Sequence, residues 1–357
     1  MSDAKIYTAL GLMSGTSLDG IDAAIVKTDG KTIASFGPFE SKQYEPDFRN
    51  RLRAELGAKS ASPELEEALT GLHADLIAEL LAKHSLTNLD IDVIGFHGQT
   101  LHHEPENHFT LQLGDGALLA KLVGCDVVNN FRGADVAAGG EGAPFAPVYH
   151  QALSQNFEGP IVIVNIGGVA NVSFIDTDHL IAFDTGPGNA AIDDVVRTRS
   201  EAVFDEDGNL ARQGRVDTGV LAGLLDHPYF DLVPPKSLDR NAFNFSAVDQ
   251  LSLEDAAATL VAFTIETIAR ASQHFPLAAK RWLVTGGGRH NSFMMEELAK
   301  KIGQEVQPVE RVGWNGDAIE AQAFAFMAVR SLLDLPLSFP STTGVAQALS
   351  GGDLYRA

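Results

Sequence analysis

The 357-residue sequence predicts two α/β domains related by duplication, and three observations carry that prediction. One ordered plan (three strands, helix, strand, helix, strand, helix) reads through the chain twice. Glycine-rich turns follow strands at corresponding places in the two halves, within residues 11–20 and 184–189. The length is enough for two domains, each with its own core.

The first half opens with three extended segments, at 6–11, 21–27 and 32–37. A helix over 63–84 follows, because Leu65, Leu69, Leu72, Leu76, Leu80 and Leu81 recur on one face. Ser62-Pro63 gives it an N-cap and a proline at the first helical position. A strand at 93–96, an extended run at 109–113, a short helix and a strand at 126–129 complete the half. In the second half, strand 161–166 ends in Gly167-Gly168, segments 171–176 and 180–183 supply two more strands, and a helix opens near Asn189. After a long insertion, helix 253–274 begins at the capping box Ser252-Leu-Glu-Asp255. Strand 282–285, the turn Gly286-Gly287-Gly288 and helix 292–302, stopped by Gly303, come next. A last helix over 317–334 ends before Pro336. The Gly/Pro-rich run Gly139-Gly-Glu-Gly-Ala-Pro144 marks the crossing, which divides the chain into domains 1–140 and 141–357.

A formal net charge of −21 argues against non-specific nucleic-acid binding and against an anionic membrane surface. An anionic nucleotide is compatible with it, held locally by backbone amides, helix N-termini and a metal ion. The single cysteine, Cys125, excludes an intrachain disulfide. The first residues carry no apolar signal core, and no apolar run approaches the roughly 18 residues of a membrane span. The expected compartment is the cytoplasm.

The chemistry concentrates at the strand ends. In Gly11-Leu-Met-Ser-Gly-Thr-Ser-Leu-Asp-Gly20, between two apolar runs, the turn offers a row of N–H groups to a phosphate tail. Thr16 and Ser17 add hydroxyls, and Asp19 a carboxylate for a divalent cation. Asp184-Thr-Gly-Pro-Gly-Asn189 mirrors that loop, with Asp184 a candidate general base; as a bare Asx-turn it would end a strand and do nothing else. Gly286-Gly287-Gly288 suits a flat adenine or ribose lying on bare backbone, or a tight strand-to-helix turn. His97, in Gly95-Phe-His97-Gly98-Gln99-Thr100, sits at a strand end where polar groups line a sugar site. His102, His103 and His108 read as loop histidines rather than metal ligands, since Pro105 prevents one helix from presenting them. Arg132 and Asp135 read either as a sugar-contacting pair or as a surface ion pair. Lys236 and Arg240 read either as partners of an anionic substrate group or as a solvated loop. Glu320 is a charge on a helix rich in Ala and Phe, aimed at substrate or out into water.

Two rival motifs fare worse. Phe183-Asp-Thr-Gly is how an aspartic protease presents its carboxylate, but the second copy at Asp217-Thr-Gly219 lies only 33 residues on (184 to 217), too close for two lobes. Gly186-Pro-Gly188-Asn-Ala-Ala191, with Asp205 downstream, fits a dinucleotide fingerprint and leaves the other glycine turns unexplained.

Taken together, these loops resemble the sugar-kinase, Hsp70 and actin superfamily, and more closely the anhydro-N-acetylmuramic acid kinase family. The resemblance runs in order through residues 11–20, Phe96-His-Gly-Gln-Thr100, Asn130-Phe-Arg132, Asn165-Ile-Gly-Gly168, Phe183-Asp-Thr-Gly-Pro-Gly-Asn189 and Thr285-Gly-Gly-Gly288. It implies two actin/hexokinase-like (ribonuclease H-like) domains around a central nucleotide cleft that closes on its substrates. It implies ATP with Mg2+, and a reaction in which ATP, water and 1,6-anhydro-N-acetylmuramate give N-acetylmuramate 6-phosphate and ADP, in cell-wall recycling. Asp184 matches the family's catalytic base. Gly15, Thr16, Ser17, Leu18, Asp19, Gly20, Ile21 and Asp22 match its ATP-phosphate segment, with Asp19 toward the metal. Gly167, Gly168, Gly186, Gly188, Asn189, Gly286, Gly287 and Gly288 complete the expected nucleotide site, and His97, Arg132 and Glu320 extend it to the sugar. The expected partners are ATP and a small sugar, with no nucleic acid and no membrane, and the family makes a homodimer the expected assembly. Two positions depart from the pattern: Lys236-Ser-Leu-Asp-Arg240 stands where Lys-Ser-Thr-Gly-Arg is usual, and Glu141 where Gln is usual. Both bear on sugar specificity. A kinase for a plain sugar hydroxyl, and an ATP-driven chaperone or filament former, are the competing functions.

Overall fold

The computed structural model describes residues 5–15, 17–238 and 242–357; Thr16 and Arg240, both singled out above, lie outside them. In chain order the elements begin with β1 (Tyr7–Ser14), β2 (Gly20–Thr28), β3 (Ile33–Gln43), α1 (Pro46–Ala54) and α2 (Pro63–Lys83). They continue with β4 (Val93–Glu104), β5 (Phe109–Leu113), α3 (Gly116–Val123), β6 (Val127–Asn129), α4 (Gly133–Ala137) and α5 (Pro147–Leu153). Next are β7 (Ile161–Ile166), β8 (Val169–Ile175), β9 (Leu180–Pro187), α6 (Asn189–Arg199), α7 (Asn209–Gln213) and α8 (Thr218–Leu225). The chain ends with α9 (Leu253–Arg270), β10 (Arg281–Thr285), α10 (Ser292–Ile302), β11 (Val306–Pro308), α11 (Ile319–Leu332) and β12 (Asp353–Tyr355).

Two units divide these elements: residues 1–156 with 318–357, and residues 157–317. In the first, the sheet order is β12-β6-β4-β1-β2-β3, with β5 paired to the outer part of β4. Strands β1, β2 and β3 form an antiparallel meander, and β4 and β6 run parallel to β1. In the second, the order is β11-β10-β7-β8-β9, again an antiparallel meander (β7, β8, β9) followed by two strands parallel to its first member. The same topology occurs twice, which is the duplicated actin/hexokinase-like architecture.

The cores follow the sequence pattern. In the first unit the leucine face of α2 (Leu65, Leu69, Leu76, Leu80) packs with Leu10, Leu12 and Phe96 of the sheet. Ser62 caps α2 as expected, its hydroxyl accepting from the Leu65 amide at 3.3 Å. In the second unit Leu260, Val261 and Phe263 of α9 and Met294 and Leu298 of α10 share one core with Val162, Val164 and Trp282. Ser252 caps α9, which ends at Arg270 and runs on as a 3-10 turn to His274.

The expected boundary at residue 140 is corrected. Residues 141–156 and 318–357 belong with the first unit, because α11 docks on its sheet. Gly11 and Gly95 are register partners on β1 and β4. A Cβ on Gly11 would stand 1.8 Å from the Ala321 carbonyl oxygen, and one on Gly95 2.1 Å from that of Phe324. Bare backbone at these two positions is what lets α11 lie flat on the strands. Both glycines, read above as parts of functional loops, are therefore packing residues.

Candidate active site

In the first unit the β1–β2 turn is held from within. The Leu18 amide donates to the Gly15 carbonyl at 3.1 Å, and Leu18 takes a left-handed φ of 58°. Its side chain is buried in the core while Ser17 and Asp19, on either side, are exposed. Ile21 continues that core from β2, so Leu18 and Ile21 anchor the turn with their side chains. Gln99, fully buried on β4, donates to the Gly15 carbonyl at 3.1 Å and ties the turn to the neighbouring strand. Gly20 is bare because a Cβ would meet the Lys42 carbonyl of β3 at 2.2 Å. Gly15 has no such constraint: its Cβ would meet only Ser17 Oγ, at 3.5 Å. Packing among the described residues does not require a glycine there, and the bare backbone leaves room for close approach. Exposed on this turn, the Asp19 carboxylate and the Ser17 hydroxyl are hard-oxygen donors. Mg2+ characteristically takes one or two such carboxylates and completes its shell with phosphate and water, so these residues fit that ion.

On the same unit, β4 and the segment before α4 bring His97 and Arg132 together. Arg132 Nε donates to His97 Nε2 at 3.1 Å, and Arg132 Nη1 to the Gly142 carbonyl at 2.5 Å. Asp135, read either as a sugar contact or as half of a surface ion pair, is an internal anchor. It is buried, and its carboxylate accepts from the Gly142 amide (2.7 Å) and the Thr343 hydroxyl (2.6 Å). Glu141, one of the two departures from the family pattern, is fixed through its backbone: its amide donates to the Thr343 carbonyl at 2.6 Å, and its carbonyl faces His103 Nε2 at 2.9 Å. His102 and His108 each engage a backbone carbonyl, of Gly57 and Val136. Glu320 is exposed on the first turn of α11. Among the described residues, no group of three or more His, Cys, Asp or Glu is arranged to hold a metal ion.

In the second unit three turns are stitched side by side: β7–β8 at Gly167 and Gly168, the end of β9 at Gly188, and the turn after β10. The amides of Gly188 and Asn189 donate to the carbonyls of Gly168 (2.9 Å) and Gly167 (2.8 Å), and Asn189 Nδ2 to that of Ile166 (3.1 Å). Gly286 and Gly288 pack against Asn165 and Ile166, Gly188 against the Gly167 carbonyl, and Gly186 against Thr267 of α9. Among the described residues, a Cβ on Gly167, Gly168 or Gly287 would meet nothing closer than 3.5 Å, so packing does not require these three to be bare. The expected nucleotide glycines thus divide into those that shape the turns and those that leave room above them.

Asp184 lies on β9 opposite Asn171 and is 8% exposed. The segment after α8 clamps it: its amide donates to the Lys236 carbonyl (3.1 Å), Tyr229 Oη donates to its carbonyl, and the Leu238 amide donates to its Oδ2 at 2.8 Å. The Leu238 amide fixes the orientation of the carboxylate. Lys236 is buried rather than solvated. Its Nζ donates to the Tyr229 carbonyl at 3.0 Å and sits 4.4 Å from that ring's centroid, and burial lowers its pKa. The clamp from Tyr229 to Leu238 escaped sequence reading, because nothing local links those residues to position 184.

The chain matches the model of the anhydro-N-acetylmuramic acid kinase family over residues 7–357. A relative of that name in Paramagnetospirillum magneticum is 50% identical over 348 residues, covering 96% of this chain and 98% of its own. One in Rhodospirillum rubrum is 50% identical, covering 100% and 96%. Among solved structures, component A of (R)-2-hydroxyglutaryl-CoA dehydratase from Acidaminococcus fermentans superposes with a TM-score of 0.50 at 13% identity. It covers 92% of this chain and 99% of its own, a likeness of fold alone.

Proposed function

The chain belongs to the anhydro-N-acetylmuramic acid kinase family, and on that premise we propose that it couples hydrolysis of an anhydro sugar to its phosphorylation. The reaction takes ATP, water and 1,6-anhydro-N-acetylmuramic acid to N-acetylmuramate 6-phosphate and ADP, in cell-wall recycling in the cytoplasm. The observation that carries this reading is the Asp184 carboxylate, buried yet held by the Leu238 amide, on a strand whose end joins the stitched glycine turns. Asp184 takes a proton from the water whose oxygen attacks the anomeric carbon. The bond from that carbon to O6 breaks, O6 attacks the γ-phosphorus, and ADP leaves, with inversion at the anomeric carbon.

Gly15 to Asp22 are the residues assigned to ATP phosphate in the first unit, and Gly167 and Gly168 those assigned to it in the second. Gly186, Gly188 and Asn189 shape the second loop, and Gly286, Gly287 and Gly288 receive the adenosine. Mg2+ neutralises phosphate charge when bound, with Asp19 as its protein ligand. Arg132 and Glu320 face the sugar, with His97 behind Arg132. The protein works as a homodimer on two small molecules, without nucleic acid or membrane; no described helix is long and apolar enough to cross one. Product mass tests the reading directly. From the anhydro sugar and ATP, coupled hydrolysis adds the elements of phosphate and of water. Addition of phosphate alone would make this a kinase for a plain hydroxyl.

A further inference from the structure

We infer that His97 is a positioning residue, a neutral imidazole locked as the Nδ1–H tautomer that aims the Arg132 guanidinium at the sugar and takes no part in proton transfer. The inference rests on the sugar-kinase reading above for its substrate, and on geometry alone for the lock.

Both ring nitrogens are committed. The Gly98 carbonyl, 2.6 Å from Nδ1, can only accept, so Nδ1 carries the hydrogen. Arg132 Nε, 3.1 Å from Nε2, can only donate, because a guanidinium does not deprotonate in proteins. Nε2 must therefore present its lone pair. An imidazolium would set two N–H donors head to head at Arg132, and the other neutral tautomer would fail at both Gly98 and Arg132; the Ser14 backbone, which also meets the ring and favours its charged form, is outweighed by burial and the Arg132 charge. The ring is 4% exposed and lies 4.5 Å from the Phe324 ring of α11. Arg132 and, from α2, the buried His73 are the titratable groups that bear on it, and both act against protonation. Burial and the Arg132 charge hold its pKa well below the ordinary histidine range. A group that cannot gain a proton at neutral pH, and whose lone pair is already used, is neither acid nor base.

What it does instead follows from its partner. Nε is held by His97 and Nη1 by Gly142, whose own amide is held by the Asp135 carboxylate. Two fixed points on a planar fork set its direction. The chain of contacts runs from Thr343 through Asp135 and Gly142 to Arg132 and ends on His97.

The lock is read without any substrate by 15N NMR of the imidazole. His97 should show a protonated Nδ1 and an unprotonated Nε2, with no titration between pH 5.5 and 8.5. The Arg132 Nε–H should exchange slowly, faster in His97→Leu, and slowly again in His97→Gln, whose amide oxygen restores an acceptor. With saturating ATP, His97→Gln should stay within about tenfold of the parent, while His97→Leu loses on the order of 10–100-fold, mostly as a higher KM for the sugar, with the pH profile unchanged in shape. A His97 signal that titrates near neutrality overturns the lock. Equal losses of kcat in both variants, with a limb gone from the pH profile, would make the residue a proton-transfer group. Should the parent fail to phosphorylate the anhydro sugar while the NMR signature holds, the function is wrong and the lock stands.

Discussion

Asp184 shows how little separates a structural carboxylate from a catalytic one. Its backbone is tied at both the amide and the carbonyl, and one carboxylate oxygen accepts from Leu238, so replacement by Asn keeps volume, strand register and that amide contact. Only the negative charge and the capacity to take a proton disappear. Asp184→Asn should therefore lower kcat by roughly 10²–10⁴-fold, the usual range for a lost general base, and leave the Kd for ATP within about twofold. Steady-state kinetics beside nucleotide titration checks both halves, and near-normal turnover would remove Asp184 from the chemistry. Asp135 is the contrasting case. A carboxylate three residues after an arginine in a polar loop looks like a ligand, yet it serves Gly142 and Thr343. The second partner lies 208 residues away in sequence, which no local pattern reveals. Residue type and spacing identify a group that must have a partner; they do not say whether the partner is substrate or protein.

At the scale of elements, the sharpest requirement is the flat landing that Gly11 and Gly95 give α11. A methyl group at Gly95 would meet a helix carbonyl, and backbone cannot rotate aside as a side chain can. Gly95→Ala should cost about 3 kcal/mol or more, at the upper end of overpacking, with α11 losing hydrogen-exchange protection first. An unchanged Tm and unchanged protection of residues 319–332 would show that the helix has slack. Elements carrying their own signals were legible: α2 from its leucine stripe and Ser62-Pro63 start, α9 from Ser252, and α10 from its stop at Gly303. Repetition of the strand order exposed the duplication for the same reason, since each half had to solve the same packing problem. The home of α11 was not legible. Ile319 and every residue from Ala321 to Arg330 are buried, so no polar face tells which sheet it covers. The glycines meant for it read as loop glycines, because a bare backbone looks the same in sequence whether it faces a phosphate or a helix. That ambiguity also runs through the other glycine turns, where only the space above Gly15, Gly167, Gly168 and Gly287 sets them apart from packing glycines.

For the whole molecule, the placement of buried histidines makes the two units unequal toward acid. His73 and His150, both in the first unit, are buried away from water, and burial pushes their pKa values down to about 4 and about 3; His97, in the same unit, is pushed down as well. In the second unit, burial and the Lys236 charge lower His274, which is only part-buried. Between pH 6.5 and about 4 the unfolded chain binds protons at these sites and the folded chain does not. Stability from neutral, buried histidine is therefore complete above pH 6.5 and is lost as pH falls. By pH 4.5, His73 and His150 each remove roughly 2–3 kcal/mol from the first unit. Since each unit has its own core, the loss need not spread to the second. Hydrogen exchange at pH 7 and at pH 5 should show protection falling in α2 and β4, where His73 and His97 sit, while β7, β10 and α9 keep theirs. Urea unfolding should resolve into two transitions as pH drops, with the earlier midpoint moving and the later one nearly still. His73→Gln should flatten the pH dependence of the earlier transition, because an amide of similar reach does not titrate. A midpoint that does not change between pH 7 and pH 5 would mean that these histidines already bind protons in the folded state, and a single transition that moves would mean that the units do not unfold separately.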